Sequence, residues 1–364
     1  MTTLPAFDAS QGRRNSWQVD LRHCNASGLI LRHRLDDLLQ ASFDEATKWP
    51  LPTALPEGFD AAQIMELAKN PGLGVRKLHQ AGITGRGVGV AIIDQTLLVE
   101  HQEYTDRLRL YEETDDIKGG WRTTQMHGPA VASFAVGKTV GVAPEADLYY
   151  IATARGGDGK DFTYLARCIR RLLVVNRQLP AERKIRVIAM AIGWEPRSQG
   201  YREVTAAAQE AKEAGMLVVC SSFAQVHGFR FHGLGRSPLA DPDVAASYEP
   251  GTWWAEQFKA GRQRPRNALL VPMDSRTAAS PHSSSEYVFY RHGGWSWSIP
   301  YIAGLYALAA QTDPAITPKR FWKLALTTGD TIRVPGSEGN MALGPIVNPR
   351  ALIEAVRSRA KRSP

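Results

Sequence analysis

Apolar residues along this chain keep two rhythms. Short unbroken apolar runs, at residues 88–93, 147–152, 185–192, 216–220 and 268–272, read as strands buried on both faces. Between them, apolar residues recur every three or four positions. In 162–177, Leu165, Ile169, Leu172 and Leu173 share one side while Arg167, Arg170 and Arg171 lie elsewhere, the mark of an amphipathic helix. Residues 75–81, 204–214 (closed by Gly215), 321–328 and a last segment opening at 348 are further predicted helices, and 287–290 is a further strand. Strands alternating with helices predict an α/β fold whose mainly parallel sheet is covered by helices on both faces.

Two regions break the rhythm. Residues 1–70 predict a short strand at 29–31, a helix over 35–46, a break at Pro50, Pro52 and Pro56, and a short helix at 61–69. They form an N-terminal extension packed on a main domain of residues 71–355. Residues 225–266 are too long for an ordinary connection and mix His227, Phe229, Phe231, His232, Trp253, Trp254 and Phe258 with Gly, Pro and Arg. The segment reads equally as a groove wall and as a self-packed surface loop.

Composition narrows the class. The chain has 364 residues, 43% hydrophobic and 22% charged, as a globular protein does. No apolar run approaches the ~20 residues that span a bilayer, and the first seventeen residues hold no apolar leader core. Cys24, Cys168 and Cys220 are far apart and lack metal-ligand spacing, so free thiols in a reducing, cytoplasmic setting are expected. The net charge of +8 gathers partly in the basic tail 356–364 and partly around Arg167–Arg171. Neither carries a nucleic-acid motif, and solubility is the simpler meaning. No nucleic-acid or membrane partner is expected; the oligomeric state is left open.

Three residues stand where chemistry is commonly done. Asp94 ends the run 88–93, and the carboxyl ends of buried parallel strands carry function in α/β proteins. Alone, it reads equally as a turn aspartate. His127 opens a stretch of small residues, Gly128-Pro129-Ala130-Val131-Ala132, which predicts a closely packed helix; a lone histidine is more often structural. Ser296 follows Gly293 and Gly294 and precedes Pro300 and a small, apolar run. Proline suits a first helical turn, so the serine is predicted at or just before a helix N-terminus. There the free N–H groups and helix dipole favour negative charge, as an acyl-transfer nucleophile needs, although most such serines are simple caps.

Taken together the segments resemble the subtilisin-like serine peptidases, the subtilases, over about residues 71–355. The residues that carry the resemblance are Ile92-Ile93-Asp94-Gln95-Thr96, His127-Gly128-Pro129-Ala130-Val131-Ala132 and Gly294-Trp295-Ser296-Trp297-Ser298-Ile299-Pro300, in the family's order of Asp, His and Ser. Gly141-Val142-Ala143-Pro144 adds a further match. The resemblance implies a three-layer subtilisin-like fold and a catalytic triad of Asp94, His127 and Ser296. It also implies hydrolysis of a peptide or protein substrate through an acyl-enzyme on Ser296, without a cofactor. Calcium commonly stabilises the family; no local calcium-loop motif is present and no metal ligand is assigned.

The departures bear on activity. At the family's oxyanion-hole asparagine this chain has Ala224, in Val218-Val219-Cys220-Ser221-Ser222-Phe223-Ala224-Gln225, leaving Ser222 and Gln225 as candidate donors. The segment implied to pair with substrate reads Ala191-Ile192-Gly193-Trp194, where Trp194 is expected to narrow or roof the side-chain pocket. Trp295 and Trp297 replace small or flexible family residues, and Trp295 joins the expected substrate contacts. Two readings follow: a peptidase of restricted specificity, or a weak or inactive relative that holds a peptide or protein partner in the groove. Esterase chemistry on the same triad is a third, weaker idea. Residues 1–70 do not resemble the family's inhibitory prodomain and are expected to brace the catalytic domain or lie across its groove.

Overall fold

The computed structural model describes residues 3–4, 19–154, 161–263, 265, 267–337 and 339–360. Most of the first eighteen residues and the last four of the basic tail lie outside them. The N-terminal part supplies β1 (Val19–Asp20), α1 (Leu35–Leu38), β2 (Ala41–Asp44) and α2 (Ala61–Lys69). Then come α3 (Val75–Gln80), β3 (Gly89–Asp94), β4 (Leu108–Glu113), α4 (His127–Val136), β5 (Asp147–Ala152), α5 (Thr163–Gln178), β6 (Ile185–Met190), α6 (Tyr201–Glu213) and β7 (Leu217–Cys220). The third portion runs α7 (Phe223–His227), β8 (Arg230–Arg236), β9 (Tyr248–Pro250), α8 (Ala255–Lys259), β10 (Ala268–Pro272), β11 (Arg276–Ala279) and β12 (Tyr287–Tyr290). It closes with α9 (Trp295–Thr312), α10 (Pro318–Thr327), β13 (Asp330–Gly336), β14 (Gly339–Ile346) and α11 (Pro349–Ala360).

The apolar runs build a five-stranded parallel sheet in the order β4-β5-β3-β6-β7. Alternate residues of one strand point to opposite faces, and both faces here are dry. Val90 and Ile92 join the core beneath α4 and α9, while Ala91 and Ile93 join a second core beneath α5 and α6. This is why β3 reads as an unbroken apolar run rather than an alternation. Strand order reverses around β3, so its carboxyl end lies at a topological switch point, where open α/β sheets form their ligand crevices. The fold is the mixed α/β, subtilisin-like one expected.

A second five-stranded sheet, β13-β14-β10-β8-β9, contains a strand that the irregular segment 225–266 had concealed. Strand β8 pairs in parallel with β10 and buries Phe231 and Leu234. Gly233 and Gly235 interrupt its apolar pattern, because a Cβ on Gly233 would lie 2.1 Å from the Met273 sulfur.

The N-terminal extension departs most from expectation. Residues 29–31 form no strand, and Ile30 is 79% exposed. The helix expected over 35–46 is one turn long, and Ala41–Asp44 is instead a strand. Strand β2 adds antiparallel to β12, setting Phe43 opposite Phe289, and its apolar residues close a third core with Leu38, Ile64 and Met65. Tertiary pairing has overridden a helical spacing. Pro300, expected in the first turn of its helix, is the sixth residue of α9, so the Ser296 carbonyl has no amide donor four residues ahead.

Candidate active site

Asp94 is the last residue of β3 and is 8% exposed. Its Oδ1 accepts the Gln95 N–H (2.7 Å) and contacts Nδ1 of His127 at 2.7 Å. With the carboxylate against Nδ1, that nitrogen carries the proton and Nε2 is left as the acceptor. His127 is the first residue of α4, and the residue after it has to be small. A Cβ on Gly128 would lie 2.6 Å from the Thr96 carbonyl oxygen and 2.8 Å from that of Gln95. The helix start therefore rests directly on the loop that follows Asp94. Tyr150, whose hydroxyl donates to the Gln95 carbonyl, pins the same loop from below. Burial drives its phenol pKa well above the ordinary value and keeps that donor protonated.

Ser296 is the second residue of α9, which is 18 residues long. Trp297, next along the helix, packs its ring 5.4 Å from that of His127, 5.2 Å from Phe134 and 5.5 Å from Tyr290. This contact sets the imidazole against the first turn of α9. Neither the Ser296 hydroxyl nor its backbone N–H is hydrogen-bonded to any described residue, so Nε2 of His127 is not yet joined to the serine. Such bonds commonly tighten only once substrate is present. The structure thus joins Asp94 to His127 and packs Trp297, the residue after Ser296, on that imidazole.

The turn before Ser296 is held from behind. Asp274, wholly buried, accepts from the Gly293 N–H (2.8 Å) and from the Thr252 N–H and hydroxyl (both 2.9 Å). Its pKa is raised by burial, with nearby Arg291 and these donors pulling the other way. Trp253 Nε1 donates to the Gly293 carbonyl at 2.5 Å. The connection between β8 and β10 therefore braces the turn before Ser296. Thr252 and Asp274 carried no signal in the sequence, since neither lies in an apolar pattern or a motif.

The remaining predicted residues divide. Trp194 does not roof a pocket: it is 2% exposed, donates from Nε1 to Thr205 (3.2 Å) and lies in the core beneath α5 and α6. Ser222 has no hydroxyl proton to spare. Its Oγ accepts the Trp194 N–H (2.8 Å) and donates to the Trp194 carbonyl (2.9 Å), a bridge possible because Gly193 has no side chain. Ala191, Ile192 and Gly193 are half-buried along this edge, and the Ile192 carbonyl already accepts the Ser221 N–H. Ala224 and Gln225 lie exposed on α7. Trp295, 42% exposed, lines a cleft of about 470 Å³ with His232, Trp253, Trp254, Gln263 and Gly294. Among the described residues no group of three or more His, Cys, Asp or Glu is placed to hold a metal ion, and no helix is long and apolar enough to cross a membrane.

Comparison with known proteins gives consistent results. The subtilase family model matches residues 85–233, which include Asp94 and His127. An extracellular serine proteinase of Thermus sp. (strain Rt41A) is 24% identical over 238 residues, 65% of this chain and 54% of that protein. The chain thus spans about half the length of that curated relative. Two solved structures share the fold at 16% identity, each covering 78% of this chain. They are the PatG macrocyclase in complex with peptide (TM-score 0.52, 95% of its chain) and the prenylagaramide maturation protease PagA (TM-score 0.53, 98% of its chain).

Proposed function

We propose that this chain, of which residues 85–233 match the subtilase family model, is a subtilase acting as a serine endopeptidase of restricted specificity. Ser296 Oγ attacks the substrate carbonyl carbon while Nε2 of His127 takes its proton; the imidazolium then protonates the leaving amine, and the C–N bond breaks. Water, deprotonated by the same nitrogen, attacks the acyl-enzyme and releases the acid. Asp94 holds the tautomer and stabilises the imidazolium. The observation that carries this reading is the 2.7 Å Asp94–His127 contact at the carboxyl end of β3, facing the first turn of α9. The proposed chemistry calls on side chains and one backbone N–H and needs no cofactor.

The unpaired Ser296 N–H at the positive end of α9 is one oxyanion donor. With Ser222 committed elsewhere, Gln225 is the remaining side-chain candidate for the second. In subtilisin, loss of one such donor costs about 10²–10³ in turnover, so slow, selective cleavage is the expectation. PatG was solved with a peptide and PagA is described as a maturation protease, which agrees with a narrow peptide substrate range. Three free cysteines, two of them buried with thiols pushed up to about 12, favour a reducing cytoplasmic setting.

A fluorophosphonate probe tests the proposal: it labels the wild type and spares Ser296→Ala. Absence of labelling in both, with the protein folded, overturns it. Ala224 favours the second reading, a pseudoprotease that binds a peptide without cutting it. Peptide binding to unlabelled wild-type protein would establish that reading instead.

A further inference from the structure

We infer that Asp274 is a positioning residue for the reaction: by holding the N–H of Gly293 it fixes where α9 begins, and so where Ser296 stands. This role rests on the peptidase reading. It starts from a helix that opens without a side-chain cap. The residue before α9 is Gly294, extended at φ −150° and ψ 179°, and no side chain bonds to the first turn. A Ser, Thr, Asp or Asn there would stabilise the helix by about 1 kcal/mol. Its oxygen would do so by taking the N–H of the second or third helical residue, here Ser296 or Trp297. The Ser296 N–H is the group that a developing oxyanion needs. The helix start therefore leaves that donor open and gives up the order a cap would bring.

That order comes from one residue earlier. Gly293 is held on every side. Its N–H donates to Asp274 Oδ1 at 2.8 Å, and its carbonyl accepts from Trp253 Nε1 at 2.5 Å. A Cβ on it would lie 2.5 Å from both the Met273 carbonyl oxygen and Trp297 Cδ1. Gly294 is the one residue between this fixed point and α9, and it has no side chain to steer it. Asp274 is fixed in turn. Its Oδ2 accepts the N–H and the hydroxyl of Thr252, each at 2.9 Å. The hydroxyl has one proton, spent on Asp274, so the 2.7 Å contact with His292 Nδ1 is a bond donated by the imidazole. An imidazole, a hydroxyl and a carboxylate thus form a second line, which ends on the backbone three residues before Ser296. The carboxyl group lies wholly out of water, where its bonds to these donors are stronger than at the surface.

The test is fluorophosphonate labelling of the full-length protein across probe concentrations, which separates the maximal labelling rate from the apparent affinity for the probe. Backbone N–H groups point at both oxygens of Asp274, so the NH2 of Asp274→Asn must face one of them. Its maximal rate should fall about 10- to 100-fold, with apparent affinity within about threefold, because the serine moves and the binding surface does not. The final labelled fraction should match wild type, whereas a partly unfolded protein would lower that fraction instead. Thr252→Val, which keeps the shape and removes the hydroxyl, should slow labelling about 3- to 10-fold, and Thr252→Ser should restore it. Hydrogen exchange at the Gly293 amide should quicken in Asp274→Asn. Wild-type labelling rates in both Asp274→Asn and Thr252→Val overturn the proposal, and so does a loss confined to the labelled fraction. Folded wild-type protein that takes no probe removes the peptidase reading and this role with it; a wild type that labels while the variants keep its rate removes this role alone.

Discussion

Gly128→Ala is a one-carbon perturbation whose consequence follows from distances. In an exposed helix interior the change would stabilise by about 0.5–1 kcal/mol. Here the new Cβ would stand 2.6 Å from the Thr96 carbonyl oxygen, 2.8 Å from that of Gln95 and 2.8 Å from the Tyr150 hydroxyl. Carbon–oxygen contacts settle at about 3.3 Å or more, so the helix start and the Asp94 loop must part by roughly 0.7 Å. Two of the three obstacles are backbone, and the third is a buried ring that cannot swing aside. Overpacking of this kind costs about 1–3 kcal/mol, which outweighs the helix gain. The larger effect falls on chemistry, because the displaced residue is His127. A misplacement approaching 1 Å can cost about 10²-fold, so the second-order rate of fluorophosphonate labelling should fall about 10- to 100-fold with a modest loss of stability. Gly120→Ala is the control, since no atom lies within 4 Å of its Cβ position. A Gly128→Ala protein that labels at the wild-type rate would refute the claim that this close approach sets the imidazole.

Other outcomes follow from the same geometry. Ser222→Ala strips both partners from the Trp194 peptide groups, which should cost about 1–3 kcal/mol in denaturant melts. Labelling should stay within about threefold, whereas a drop of 10² or more would make Ser222 the oxyanion donor after all. Phe43→Ala should cost about 3–5 kcal/mol, because Phe43 is 1% exposed against Phe289 and Trp49. Deletion through residue 44 should lower labelling, and a rise would mean that the extension blocks the groove. Stability should also fall in mild acid. Burial depresses His227 to about 4 and His292 to about 3, with Lys212 and Arg291 respectively adding to the effect. His227 Nε2 accepts the Val218 N–H, a bond that its protonation breaks. Below about pH 6.5 the unfolded chain binds these protons and the folded one does not, so stability present above pH 6.5 drains away towards pH 4 and 3, by several kcal/mol in all. Melts from pH 7 to 4 with no such slope would count against this account.

The five-stranded parallel sheet was legible because both its faces are dry. Runs such as 147–152 and 268–272 end where the strands end, since nothing but burial shapes them. Asp94 and His127 were legible because their neighbours are constrained: a buried strand ends at one, and a glycine that must pass under a carbonyl follows the other. Trp194 misled because a tryptophan next to a substrate edge can face either way, and only the partner Thr205 on α6 settles which. Strand β2 was hidden for a different reason. Leu35 through Asp44 has helical spacing, and the partner that turns part of it into a strand lies at Tyr287–Tyr290. Strand β8 was hidden by two glycines whose purpose is to clear the Met273 side chain and the neighbouring β9.

The docking of β2 on β12 has a temporal consequence. Ser42 Oγ accepts the Arg291 N–H, and Arg291 reaches back to the Leu39 carbonyl. Five residues further on is Ser296. Ser42 and Arg291 are separated by 249 positions, a distance that a ribosome takes about 12 to 50 s to cover. Until then β2 has β1 but not β12 to pair with, and the turn before Ser296 is unmade. A nascent chain already bearing Asp94 and His127 therefore lacks the Ser296 turn until Ser42 and Arg291 can meet, so on the peptidase reading no complete triad exists before that contact forms.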